Sequence, residues 1–331
     1  VLRFAGFPLI GGTNIMDIRI FIQANRSQAL GAKLSEYSLR KFLTNGDSVR
    51  ITIINFEDRN ELKSRHRQFM LRRGKRYQFL ANDLQSFTLL RFLPPELCDW
   101  RGIALVIDPD VFAVKSIDSL YDIDMQGHAI LARKVNSPNG NEYSGSSVML
   151  LDCSKLRHWN WNGILSDLFD GKIDYQDLMQ LKLEDPRTIG ELSVSWNEFD
   201  SIKEGTKLLH TTMRNTQPWK TGLPVEFHDK LPRFGKLKLI LARTLPDRLI
   251  GLTGITRDPQ FYCQPHPNKD VELFFMRLLH SALRDGYLSK SFVQGEIDRG
   301  FIRPDIWQVI ERAVGNELDL SHLSKKANQV T

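Results

Sequence analysis

The stretch that most constrains this chain is Gly102-Ile-Ala-Leu-Val-Ile-Asp-Pro-Asp-Val-Phe-Ala-Val114. The apolar residues Ile103 to Ile107 run directly into Asp108 and Asp110, which a single proline separates. An unbroken apolar run of this length predicts a fully buried strand in a parallel sheet. Open α/β sheets bind ligands beyond the carboxyl ends of such strands, where both acids fall. Pro109 holds its predecessor extended, so the turn is stiff. Two carboxylates this close repel each other unless a cation lies between them or one takes up a proton. A divalent-metal site at the end of a core strand is therefore expected.

The surrounding pattern agrees with an α/β fold. Residues 17–23 and 49–55 alternate or cluster apolar side chains as strands do. Between them, Ser27 is the expected N-cap of a helix carrying Leu30, Leu34 and Tyr37 on one face and ending near Asn45-Gly46. Such a β-α-β opening predicts parallel pairing. The sequence has neither G-x-G-x-x-G nor G-x-x-x-x-G-K-[ST], which argues against a classical dinucleotide or P-loop site. Residues 57–82 read as a connection around a short strand at 77–80. Residues 87–93 read as a helix, with Arg91 its polar residue and Pro94-Pro95 its stop. After the acids, 116–121 is turn-like, 128–132 and 146–152 are strands, and the Asn-, Ser-, Pro- and Gly-rich segment 135–144 is the loop between them. Helices are expected from Trp159 and Trp161 onward and over 174–181, then a short strand, 207–210, ending in His210. In 270–284, Val271, Phe274, Phe275, Leu278, Leu279 and Ala282 form one apolar stripe, expected to be core rather than a membrane-facing surface. Segments 289–294 and 306–313 are helical by the same reading, and 246 and 265–267 fall in proline-marked loops.

Composition narrows the partners only a little. The 331 residues are 41% hydrophobic and 25% charged, enough for one or two domains with a sizeable core. A net charge of +6 favours anionic partners such as phosphates and nucleotides. The cluster Arg72-Arg73-Gly74-Lys75-Arg76 reads as a solvated face, and no nucleic-acid partner is expected. Cys98, Cys153 and Cys263 are widely spaced without a C-x-x-C, so neither a disulfide framework nor a zinc site is expected and a reducing, cytoplasmic setting fits. No apolar run approaches the roughly 20 residues that cross a bilayer. Residues 1–15 are expected to be a leader or appended segment.

Asp108, Asp110 and His210 together offer two carboxylates and one imidazole. This mixed oxygen and nitrogen set suits Mn2+ and leaves positions for phosphate oxygens, whereas Mg2+ prefers more oxygen and water. A metal-dependent phosphohydrolase would need more carboxylates and histidines than lie near these strands.

The order of these features resembles glycosyltransferase family 8, the retaining enzymes of the GT-A fold that include glycogenins and bacterial lipopolysaccharide galactosyltransferases. The resemblance covers about 17–219. Arg101-Gly-Ile-Ala-Leu-Val-Ile-Asp-Pro-Asp-Val-Phe112 is similar to the family's strand and D-x-D, and Arg91 to the arginine that faces the donor. Gly145-Ser-Ser-Val-Met-Leu-Leu-Asp152, Tyr175-Gln-Asp-Leu-Met-Gln180, Trp196-Asn197 and His210 to Trp219 stand where further family motifs stand. The resemblance implies a GT-A fold: a Rossmann-like, mostly parallel central sheet flanked by helices, with a C-terminal helical extension. It divides the chain into a nucleotide-sugar-binding catalytic domain at 16–230 and helices packed on it at 231–331.

The implied activity is metal-dependent transfer of a hexose from a nucleotide sugar, UDP-glucose or UDP-galactose, to an unidentified acceptor with retention. Asp108, Asp110 and His210 would hold Mn2+, or Mg2+ in its place. Asp110 and Gln176 would serve catalysis. Ala24, Asn25, Arg91, Asp108 and Ser147 would contact the donor, with Arg214 and Lys220 as cations near its diphosphate. The sequence departs from the family pattern at Gly145 and Ser147, in place of asparagine and glycine. Tyr175 and Gln180 replace aspartate and asparagine, and Gln217 replaces a lysine. These departures leave open a second expectation, a nucleotide-binding pseudo-enzyme or regulatory protein on the same fold.

Overall fold

A computed structural model describes residues 18–44, 49–83, 85–137, 140–225 and 262–315. The expected leader at 1–15, the Asn45-Gly46 helix end and the loop at 246 lie outside the described residues.

The central sheet has six strands: β1 (Ile18–Ala24), β2 (Ile51–Asn55), β5 (Ile103–Ile107), β7 (Ile130–Asn136), β8 (Glu142–Asp152) and β9 (Ile189–Glu191). Their order is β2-β1-β5-β8-β7-β9. β2, β1 and β5 are parallel neighbours, β8 is antiparallel to both β5 and β7, and β9 is parallel to β7. Only β8 therefore runs against the rest, and the architecture is α/β with a mostly parallel sheet, as expected. The chain leaves β1 for β2 on one side and returns to β5 on the other. The crevice between the ends of β1 and β5 is thus a topological switch point, the place where such sheets take ligands.

The other strands form two small sheets. β3 (Phe69–Arg72) and β4 (Lys75–Gln78) make an antiparallel hairpin. β6 (Val111–Ala113), β10 (Glu198–Phe199) and β11 (Leu208–His210) form a sheet of order β10-β11-β6. Among the described residues the α-helices are α1 (Ala29–Lys41), α2 (Asn60–Lys63), α3 (Pro94–Leu97), α4 (Trp161–Phe169), α5 (Tyr175–Met179), α6 (Lys269–Arg284) and α7 (Lys290–Asp298), and 306–315 is also helical.

The main core lies on both faces of the sheet. One cluster includes Phe21, Val106, Met149, Trp159, Trp161 and Leu165, the other Ile20, Ile22, Leu105, Ile107 and Leu150. Alternate residues of the same strands thus enter opposite clusters, which is why the apolar run in β5 is unbroken. A third cluster joins Leu30, Leu34 and Tyr37 of α1 to Phe275, Leu279 and Ala282 of α6. The α6 stripe is therefore core, with Phe274 at its partly buried margin. In this cluster Trp219 stacks on Phe275 at 4.8 Å between ring centroids, and Phe112 meets both rings edge-on.

Four expectations are corrected. Pro94-Pro95 do not stop a helix over 87–93: Thr88–Phe92 is a 3-10 helix, and the two prolines open α3. Ser27 is not the N-cap: a short 3-10 turn, Arg26–Gln28, precedes α1, and Ser27 Oγ donates to Asn25 Oδ1 at 2.9 Å. The expected loop at 135–144 is strand at both ends, because β7 continues to Asn136 and β8 starts at Glu142, and only 137–141 connects them. The short strand at 77–80 is the second half of the β3–β4 hairpin.

Candidate active site

β5 carries Asp108 at its carboxyl end, in the interior of the central sheet, and three residues later β6 belongs to a different sheet. The Asp108-Pro109-Asp110 turn is the crossing between them. It packs directly on α1, where a Cβ on Gly31 would lie 2.6 Å from the Pro109 carbonyl oxygen. β11 pairs antiparallel with β6, with His210 opposite Val111. The Thr211 N–H also donates to the Asp110 carbonyl at 3.0 Å. Strand pairing therefore closes about a hundred residues of sequence and sets the imidazole beside the acids.

Ligand atoms of Asp108, Asp110 and His210 lie within 4.8 Å of one another. The three residues are 6%, 9% and 6% exposed, so charges here are poorly screened by water. His210 Nε2 is 3.4 Å from Asp110 Oδ1. Its Nδ1 is 2.9 Å from Oδ1 of the buried Asn197, whose Nδ2 donates to Ser147 Oγ at 3.3 Å. An amide oxygen thus faces Nδ1 and a carboxylate oxygen faces Nε2, and two acceptors favour a hydrogen on both ring nitrogens when no cation is bound. Metal-binding histidines are commonly oriented in this way from their far nitrogen. Burial opposes the charged form of His210, but the Asp110 carboxylate outweighs it and holds the imidazole above its ordinary value. Burial likewise pushes Asp110 up, yet His210, with a hydrogen bond from Gln217, brings it below the usual carboxylate range. A proton and a metal ion would compete for the same nitrogen. The donor set and its geometry fit a divalent cation.

Hydrogen bonds fix both acids. Gln217 Nε2 donates to Asp110 Oδ2 at 2.8 Å, so Gln217 serves the acid from the place where the resemblance expects a diphosphate-binding lysine. Asp108 Oδ1 accepts from Gln23 Nε2 at 2.6 Å and from Arg91 Nε at 2.9 Å, and Arg91 Nη2 donates to Oδ2. Arg91 also donates to Ser146 Oγ at 3.0 Å. Its fork is thus bidentate on Asp108, the strong geometry for such a pair.

Arg91, Asp108, Asp110, Ser146, His210 and Gln217 line a polar cavity of about 430 Å3. Of the residues expected from sequence, Arg91, Asp108, Asp110, Ser147, Gln176, His210 and Arg214 are on its wall. Ala24, Asn25 and Lys220 are not among its lining residues. Ala24 is fully buried in the core, Asn25 donates to Ser86 Oγ and the Asp83 carbonyl, and Lys220 is 3% exposed.

Sequence reasoning passed over Arg72 and Arg73, which also line the cavity. Arg73 and Gly74 both have positive φ, 55° and 70°, and form a two-residue turn between β3 and β4. Their N–H groups donate to Asp174 Oδ1 and Oδ2 at 3.0 and 2.7 Å. Asp174 also caps α5 by accepting from the Gln176 N–H at 2.7 Å. One carboxylate thus fastens the hairpin tip to the start of α5. Arg73 Nε then reaches Gln176 Oε1 at 3.3 Å, and the Arg72 guanidinium lies over Tyr77 and Tyr175. The signal was present in the sequence: X-Gly between two short strand-like runs marks this turn, and it brings one end of the basic cluster to the cavity.

No family model matches the chain, and no curated protein does. Among solved structures it is similar to the bifunctional glycosyltransferase WbbM in its apo form, at 11% identity over 64% of this chain and 48% of that one, with a TM-score of 0.42. It is also similar to the galactosyltransferase LgtC in complex with donor and acceptor sugar analogues, at 17% identity over 70% and 99% of the two chains, TM-score 0.40. A third is the glycosyltransferase GlyE of Streptococcus pneumoniae TIGR4, at 14% identity over 77% and 66%, TM-score 0.43. The chain spans about half the length of WbbM.

Proposed function

We propose that this protein transfers a hexose from a nucleotide-linked donor, UDP-linked and most simply UDP-glucose or UDP-galactose, to an acceptor hydroxyl with retention at the anomeric carbon. The observation that carries this reading is the buried Asp108, Asp110 and His210 cluster, with His210 oriented by Asn197 on a polar cavity. The family resemblance of the motifs around these residues supports it. Asp108, Asp110 and His210 would hold the divalent cation, and the imidazole favours Mn2+ over Mg2+. Bound there, the cation would neutralise charge developing on the departing diphosphate.

The chain's own residues do the rest. Gln217 and Asn197 fix Asp110 and His210 before any ligand arrives, which lowers the reorganisation needed at reaction. In the transfer, the bond from the anomeric carbon to the diphosphate oxygen breaks, and its electron pair leaves on that oxygen. The acceptor oxygen bonds to the same face of the carbon, and its proton passes to the departing oxygen. Gln176, held by Arg73 and by the Asp174 cap, would stabilise charge at the anomeric centre. We assign the chemistry to 16–230, with Ser147, Arg91 and Arg214 on the donor side. The helices after Lys269 serve as a buttress behind the Asp108–Asp110 turn.

One observation favours a second reading, a nucleotide-binding protein without turnover. Asp108 already accepts three hydrogen bonds, from Gln23 and from the Arg91 fork, and must release part of this set to reach a cation. Mn2+-dependent hydrolysis or transfer with a panel of nucleotide sugars separates the two readings: UDP binding without consumption of any donor, acceptors included, sinks the enzymatic one. The metal assignment has its own test. Asp110→Ala should weaken Mn2+-dependent UDP binding at least about tenfold, since outer-shell changes alone cost that much, and unchanged binding would refute it.

A further inference from the structure

A second cavity, of about 340 Å3, adjoins the first and shares Arg73, Tyr143, Gln176 and Gln180 with it. We propose that this second cavity holds the acceptor, and that the acceptor is an acidic sugar whose oxyanion the Arg73 guanidinium binds. The assignment rests on the glycosyl-transfer reading above, and deepens it by naming a substrate class.

Position comes first. Gln176 lies on both cavities, so an acceptor in the second meets the donor at this residue. The lining is polar: Ser137, Asn141, Tyr143 and Gln180 offer the hydroxyl and amide groups that orient a polyhydroxylated ring.

Charge then selects the kind of sugar. Glu142 pairs with Lys134 at 3.9 Å, and Lys182 with Asp177 at 3.7 Å, so each of these exposed charges already has a partner of opposite sign. Arg73 differs: among the described residues it makes no ion pair, and its only side-chain hydrogen bond is from Nε to Gln176. Both terminal amino groups of the fork remain for a ligand, the geometry that takes a carboxylate or phosphate through two parallel bonds.

The backbone is also prepared. Arg73 sits in a two-residue turn, clipped at both N–H groups by Asp174, so its Cα is fixed relative to Gln176. An otherwise exposed arginine is thereby held at the junction of the two cavities.

The test is a titration of the full chain, with and without UDP and Mn2+, against glucose, glucuronate, glucose 6-phosphate and inorganic phosphate. At least one acidic sugar should bind tenfold or more tighter than glucose with UDP and Mn2+ present. Arg73→Gln should bring that sugar within threefold of glucose, and Arg73→Lys, which keeps the charge but not the fork, should fall between. Preference for glucuronate alone identifies a carboxylate, for glucose 6-phosphate alone a phosphate, and for both a site that reads any oxyanion. Equal binding of the three sugars overturns the proposal, as does a preference that survives Arg73→Gln. Inorganic phosphate binding as tightly as the acidic sugars reduces the site to an anion hole and also overturns it. Displacement of the acidic sugar by UDP and Mn2+ would instead assign Arg73 to the donor. The UDP–Mn2+ titration reports separately on the glycosyl-transfer reading, so a chain that prefers acidic sugars but binds no UDP fails that reading alone.

Discussion

At one end of the main cavity, Asp108, Asp110 and His210 stand at the ends of strands from two sheets, buried and held by backbone pairing. At the other end, Gln176 lies in a helix of five residues, and Arg73 in a two-residue turn on a hairpin whose tip is exposed. The first end depends on contacts far apart in sequence: Gln23 with Asp108, Asn197 with Ser147, Gln217 with Asp110. The second depends mainly on one carboxylate, Asp174, which caps a helix and clasps a turn. Strand pairing places the metal end as part of the core, so its residues cannot drift without cost to stability. Caps and turns carry less energy and can change singly. A protein built this way can keep its leaving-group chemistry while its sugar end changes: the departures at Tyr175 and Gln180 fall in and beside the short helix of that end, whereas Ser147 and Gln217 bond residues of the metal end.

The comparison breaks first, and with the largest effect, at Arg91. Its side chain and that of Asp108 are 12% and 9% exposed, so removing the guanidinium leaves a buried carboxylate with only Gln23. Arg91→Met should destabilise the fold by about 3–5 kcal/mol, the cost of breaking a buried pair. Denaturant unfolding measures it, and a loss under about 1 kcal/mol, the worth of a surface pair, would mean the pair is solvated after all. Next comes Asn197→Ala. Without the amide, His210 loses the acceptor for its Nδ1 hydrogen, and Mn2+ affinity should fall by about 10–100-fold, as outer-shell losses do. Titrating Mn2+ by its paramagnetic effect on water relaxation reads this directly. An unaltered affinity would remove Asn197 from any orienting role.

The two ends were not equally legible in the sequence, for a physical reason. An apolar run such as Ile103 to Ile107 has one good fate, and the acids that end it inherit a defined place. His210 could be read as the end of a strand, but the hydrogen bond to Asn197 that orients it depends on β10 pairing with β11. Segment 135–144 misled because Asn136 and Glu142 are exposed on strands that pair with each other, and composition cannot see pairing. The hairpin at 69–78 was hidden by its charges. Lys75 and Arg76 are solvated as expected, whereas Arg72 and Arg73 come to the cavity because the turn between them and their neighbours is tight. The cap at Ser27 failed for a smaller reason, an extra 3-10 turn before α1.

A third substitution presses on the metal end from behind. At Gly31 a methyl group would meet the Pro109 carbonyl oxygen at 2.6 Å and Trp219 at 3.4 Å. The nearer neighbour is backbone, so relief requires moving the turn that carries both acids. Overpacking of this kind costs about 1–3 kcal/mol, against up to about 1 kcal/mol gained by replacing glycine within a helix. Gly31→Ala should therefore be net destabilising, and its Mn2+ affinity should drop severalfold. A variant as stable as the parent with unaltered Mn2+ affinity would show that the turn is not seated on α1.

The smallest effect is expected at the other end, and its separation from the metal is what makes it useful. Gly74 has φ +70°, and a methyl group added at its Cα would meet nothing within 4 Å, so sterics outside the backbone are not at issue. Only the left-handed conformation is, and an L-residue there costs about 1–2 kcal/mol. Gly74→Ala should loosen the turn by roughly that amount and speed hydrogen exchange at the Arg73 and Gly74 amides that donate to Asp174. Mn2+ affinity should stay within about twofold, because no strand that places Asp108, Asp110 or His210 includes the hairpin. If Mn2+ binding falls together with amide protection, the two ends are one cooperative unit. The sugar end would then not be free to vary on its own.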